Sequence, residues 1–120
     1  MAAPNIVNVS GIIGYTTTFA LSATVGTSLV VNAAASNYVY KINSIVVTNI
    51  TTTTHTVTIQ IDDGTNTRKL ASTISVPANA ALVVSDKNTS FYLEEGMTVE
   101  GGGDVASKLD CTIAYDTIID

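Results

Sequence analysis

Charge is what this chain has least of. Lysine, arginine, aspartate and glutamate make up 12% of its 120 residues, about half of the roughly 25% usual for soluble domains. There is no tryptophan, one cysteine, one histidine and two prolines. A lone cysteine closes no internal disulfide and fits synthesis in a reducing cytoplasm. One histidine and one cysteine assemble no Cys/His zinc set within a chain. The basic residues are Lys41, Arg68, Lys69, Lys87 and Lys108, only two of them adjacent, and the net charge is −5. A protein that tracks phosphates needs a clustered basic face, so no nucleic acid is expected as a direct partner. The opening "MAAPNIVNVSG" has neither the basic start nor the apolar core of a secretory signal. No apolar run approaches the roughly 18 residues of a spanning helix, so no membrane partner is expected either.

What is abundant is apolar and small polar matter. Hydrophobic residues reach 46%, which leaves threonine, serine, asparagine and alanine to cover the surface. Surfaces so poor in charge repel one another weakly, and they suit a protein packed against copies of itself or a larger scaffold. A chain of this length forms one domain that buries roughly two-thirds of its unfolded surface without a disulfide or metal.

The hydrophobic period is two almost throughout. "YTTTFALSA" places Tyr15, Thr17, Phe19, Leu21 and Ala23 on one face. "HTVTIQID" alternates Val57, Ile59 and Ile61 against Thr56, Thr58, Gln60 and Asp62. "KLDCTIAYD" alternates Leu109, Cys111, Ile113 and Tyr115 against Asp110, Thr112, Ala114 and Asp116. This is the pattern of half-buried antiparallel strands, rich in the branched and aromatic residues that fit a pleated surface. Turn signals stand between the runs: "AASN" (34–37), "DDGTNT" (62–67), "VPANA" (76–80) and "DKNTS" (86–90). In "YVYKINSIVVTNI" the apolar face switches from Tyr38, Tyr40 and Ile42 to Ile45 and Val47, which predicts a bulge or a bend between sheets. The expected fold is all-β, an antiparallel β-sandwich of about eight strands with jelly-roll-like wiring. Residues 15–120 form the sandwich domain. Residues 1–14 are either an arm that pairs with a neighbouring subunit or an edge strand of the same domain.

The chemistry-bearing candidates are few. "SFYLEEGMTVEGGGD" (90–104) carries Glu94, Glu95, Glu100 and Asp104. Its register joins two short strands at Glu95-Gly96, with Gly96 supplying a positive φ, and Gly101-Gly102-Gly103 is expected to form a second, looser loop. An acid/base pair needs a carboxylate desolvated enough to hold a proton near neutral pH, so a structural turn is the better reading here. Calcium needs six to eight converging oxygens. "DDGTNT" lacks the alternating ligands and the closing glutamate, so a hydrated hairpin is favoured. His55 stands at a loop–strand junction beside the Thr-rich "TNITTTTHT" (48–56), and no serine sits in a nucleophile-elbow sequence. Cys111 shares the inward face with Leu109 and Ile113 and reads as core. No catalytic, cofactor-binding or metal residue is assigned, and no enzyme or cofactor is expected.

Three segments, "MAAPNIVNV", "YKINSIVVTN" and "STISVPANAALVVSDKNTSFYLEEGMTVE", resemble a family of small virion structural proteins of tailed phages of cyanobacteria and other marine bacteria. The similarity runs over nearly the whole chain, and "ISVPANAALVV…FYLEEG" is its most specific part. The usual form has Asp where this chain has Met97, and often a longer insertion where "TTTTHT" stands. The resemblance implies a β-sandwich on the virus particle, made in the host cytoplasm, with the major capsid protein and copies of itself as partners. Capsid decoration (cement) on the outer capsid surface is the leading expectation. A tail, baseplate or fibre component is the nearest alternative. A carbohydrate-binding module, with Tyr92 as the aromatic to test, is the third.

Overall fold

The computed structural model describes residues 11–119. Their strands are β1 (Gly11–Ala20), β2 (Ser28–Val31), β3 (Tyr38–Asn49), β4 (His55–Asp62), β5 (Thr67–Val76), β6 (Ala81–Ser85), β7 (Phe91–Leu93), β8 (Thr98–Gly103) and β9 (Leu109–Ile119). One sheet has the order β1-β9-β3-β6, with β7 also on β3, and the other runs β2-β8-β4-β5. Strands β6 and β7 lie end to end along the same strand, since β6 pairs with Ile45–Thr48 and β7 with Tyr40–Ile42. Taken as one interrupted strand, they reduce nine strands to eight. The sheets then read 1-8-3-6 and 2-7-4-5, a chain doubled on itself and rolled up, which is jelly-roll wiring.

The alternation seen in the sequence becomes the core. Ile42, Ile45 and Val47 of β3 and Leu109, Cys111 and Ile113 of β9 face Val57 and Ile59 of β4, Val76 of β5 and Val99 of β8, all essentially without exposed surface. Burying a side chain of this size stabilises the fold by about 1.5–3 kcal/mol. The face switch in β3 is a bulge. Ile42 pairs with Tyr115 and Ser44 with Ala114, which leaves Asn43 as the extra residue, and its amide donates to Asp116 Oδ2 at 3.1 Å. The bulge puts Ile42 and Ile45, three apart, on one face.

One expectation needs correction. Gly101-Gly102-Gly103 is not a loop but the buried second half of β8, paired with Ile59, Thr58 and Val57. The glycines are there because other groups press on the strand. A Cβ on Gly102 would stand 2.6 Å from the Thr24 carbonyl oxygen, and one on Gly101 2.5 Å from Ile59 Cδ1. Of the two readings of residues 1–14, Gly11–Gly14 take the edge-strand one, pairing with Asp116–Ile119 of the same chain in unbroken register with the rest of β1. The rest of that segment, residues 1–10, lies outside the described residues.

Candidate functional site

The carboxylates of residues 90–104 are dispersed rather than gathered. Glu94 and Glu95 occupy the turn that carries the chain from β7 in one sheet to β8 in the other. The Met97 N–H donates to the Glu94 carbonyl at 3.1 Å, and Gly96 takes φ +81°. Glu95 Oε2 accepts from the Asn37 N–H at 3.4 Å, while Oε1 is buried without a partner among the described residues. Glu100 lies on the outer face of β8, where Gln60 Nε2 donates to it at 2.7 Å and Lys69 donates in turn to Gln60 Oε1. Among the described residues no three His, Cys, Asp or Glu side chains converge. In the 62–67 hairpin the carboxylates serve the turn itself. Asp62 accepts from the Gly64 N–H, and Asp63 accepts from the N–H groups of Thr65 and Asn66. The Asn66 and Thr65 amides hold the Asp63 carboxyl below its usual range.

The fourth carboxylate makes the arrangement closest to chemistry. Asp104 follows β8 directly, and its N–H donates to the Thr56 carbonyl, which sets its side chain beside the first residue of β4. His55 Nδ1 lies 3.1 Å from Asp104 Oδ1 and 3.2 Å from Oδ2, and Nε2 lies 3.2 Å from the Thr53 hydroxyl. A carboxylate accepts, so Nδ1 carries a proton, and in the neutral ring Nε2 accepts from the Thr53 hydroxyl. The order hydroxyl, imidazole, carboxylate is that of a nucleophile, its base and an orienting group. What the row does visibly is tie the 50–54 loop to the loop after β8. The Asp104 side chain is 42% exposed, so the pair stands at the surface rather than in a cleft. A concavity of about 290 Å³ lies elsewhere, against Phe19, Ala20, Asp110 and Cys111.

Sequence reasoning missed a second feature. Tyr15, Tyr115, Tyr40 and Tyr38 form a continuous row across β1, β9 and β3, with ring centroids 5.6, 5.3 and 6.5 Å apart in that order. All four point to the inward side of the long sheet. Yet Tyr15 is 49% exposed and Tyr38 37%, which means the shorter sheet does not cover that end. The signal was present in the spacing of Tyr38, Tyr40 and Tyr115, but the strand pairing that aligns them was not. Burial, then the neighbouring Tyr115, Tyr38 and Tyr15, raise the Tyr40 phenol above its ordinary 10.0. Tyr92 faces outward from β7, opposite the buried Leu93, and is 46% exposed. Cys111 is fully enclosed, and burial pushes its thiol up to about 12.

No protein-family model matches the chain, and the search of the curated proteins returned no match.

Proposed function

We propose that the chain is a structural protein of a bacteriophage virion, a capsid decoration (cement) protein that binds the outer capsid surface and stabilises the shell. Its partners are the major capsid protein and other copies of itself. The observation that carries this reading is the surface. Among the described residues eleven large apolar side chains stand exposed, including Ile12, Ile13 and Tyr15 of β1, Val31 of β2, Leu70 and Ile74 of β5 and Val83 of β6. They lie on a chain with 12% charged residues. They are spread over both sheets, so a partner that covers them touches the protein on several sides. The resemblance of the 72–100 segment to small virion proteins points the same way. The acidic surface is ill matched to packaged DNA, which favours the outside of a shell.

The mechanism follows from spread contacts. A rigid sandwich seated across a junction between capsid subunits adds several modest interfaces at once, and the second and third form at high effective concentration. Each subunit pair it bridges then separates only when all contacts break together, which opposes the outward pressure of packaged DNA. Emptied capsids titrated with the purified protein test this. Binding that saturates at a fixed ratio to capsid protein and raises the disruption temperature is expected. No binding to capsids overturns the proposal.

A further inference from the structure

Among the described residues the sandwich has four strand edges, and three are blocked. Edge strand β2 is four residues long with a register shift. The β6–β7 edge is broken by the turn at Lys87–Thr89, with Asp86 as its cap. Edge strand β5 carries Arg68 and Lys69 and has register shifts at two places. Thr73 there is held at φ +50°, its N–H turned onto the Thr58 hydroxyl. Charges, interruptions and bulges are the devices by which natural sheets refuse a foreign strand.

Edge strand β1 has none of them. "GIIGYTTTFA" contains no charge and no proline, and all ten residues pair with β9 without a shift. Alternate residues of such a strand turn their N–H and C=O groups outward, so about half of its backbone polar groups face the free edge. Ile12 and Ile13, on opposite faces, are 59% and 45% exposed.

We propose that β1 pairs with β1 of a second copy, antiparallel about a two-fold axis at Tyr15, joining the two long sheets into one. Two observations select a second copy as the occupant. The first is charge. In a chain of net charge −5, β1 is an uncharged strand through which two copies meet without opposing like charges. Asp110 and Asp116 of β9 would lie at least three strand spacings from their counterparts, about 14 Å or more, which exceeds the screening length of about 8–10 Å. The second is the tyrosine row. Among the described residues it ends at Tyr15, which is 49% exposed, and its 5.6 Å step between β9 and β1 is a little longer than the roughly 4.8 Å between adjacent strands. A two-fold axis at Tyr15 sets that ring against the partner's Tyr15, so the row runs on through the axis. Ile13 then lies opposite the partner's Thr17, and Ile12 opposite the partner's Thr18. Because the pairing consumes the free edge of both copies, it closes at two.

This inference rests on the self-association part of the proposed function and not on the virion part, so a monomeric protein would remove the former and leave capsid binding to its own test. The experiment is analytical ultracentrifugation of the full chain, with oxidative cross-linking of Tyr15→Cys and Thr18→Cys. Cysteines facing each other across the axis fall within disulfide range. Those at position 18 are about 20 Å apart, six residues of strand, and Cys111 is buried. A dimer that cross-links through position 15 and not 18 is expected. Tyr15→Lys, at a half-exposed site, weakens association about tenfold or more by opposing two charges at the axis. A monomer at the highest soluble concentration overturns the proposal. So does a dimer that fails to cross-link at position 15 and ignores Tyr15→Lys.

Discussion

Asn49 reaches from the end of β3 to the Val76 carbonyl at the end of β5, 2.9 Å away, and so one buried amide bonds the two sheets together. Its other N–H goes to the Thr53 carbonyl at 2.7 Å, and its oxygen accepts from the Thr51 N–H and hydroxyl. Every donor on the side chain is used, and it has no exposed surface. Asn49→Leu keeps the volume and orphans the backbone groups it served, each at about 1–3 kcal/mol. Chemical denaturation is expected to show a loss of about 2–4 kcal/mol, with faster proteolysis in the Thr51–Thr54 loop.

Asn32 does the same at the opposite end. It donates to the carbonyls of Tyr38 and Leu93 at 3.0 and 2.9 Å and accepts from the Ser36 hydroxyl. Asn32→Ala is expected to cost about 1–3 kcal/mol. The double variant with Asn49→Ala should be additive within about 0.5 kcal/mol, because the two share no partner. Thermal or urea unfolding of the four proteins checks this.

The glycines of β8 rank by what they would strike. Gly102→Ala drives a methyl into the Thr24 backbone, whereas Gly101→Ala meets the movable end of Ile59 along with more distant atoms. Overpacking typically costs about 1–3 kcal/mol. Gly102→Ala is expected near or above the top of that range and Gly101→Ala nearer the bottom. Denaturation midpoints in the reverse order would contradict the assigned approach of the 22–24 segment.

Alkali should lower the stability of the protein in two stages. The Cys111 thiol sits at about 12 when folded against an ordinary 9.0, and the Tyr40 phenol sits above 10.0. Both groups hold their protons more tightly folded than unfolded. Their contribution is complete below the unfolded pKa and is lost as pH rises through the folded one. Stability should therefore begin to fall near pH 9, by about 1.4 kcal/mol per pH unit, and fall more steeply once Tyr40 joins. Cys111→Ala should flatten the first stage and keep the second, as read from urea unfolding between about pH 8 and about pH 11.

Much of the fold was legible in the residues, and the reason is their period. "HTVTIQID" is β4 residue for residue, and the slip between Ile42 and Ile45 is the Asn43 bulge. Legibility ended where side chains ended. Gly101–Gly103 carry none, so a buried strand looked like a loop. Partnerships between distant strands were equally silent. Nothing local to His55 announces Asp104, 49 residues on, and nothing local to Tyr15 announces Tyr115. Both contacts exist because the chain doubles back, with β4 beside β8 and β1 beside β9.

The measurement closest to the central claim is the number of copies of this protein per purified virion, by quantitative mass spectrometry against the major capsid protein. The account predicts one copy per capsid subunit, or a simple fraction of that ratio. A handful of copies would move the protein to the tail or baseplate, and absence from the particle would contradict the account outright.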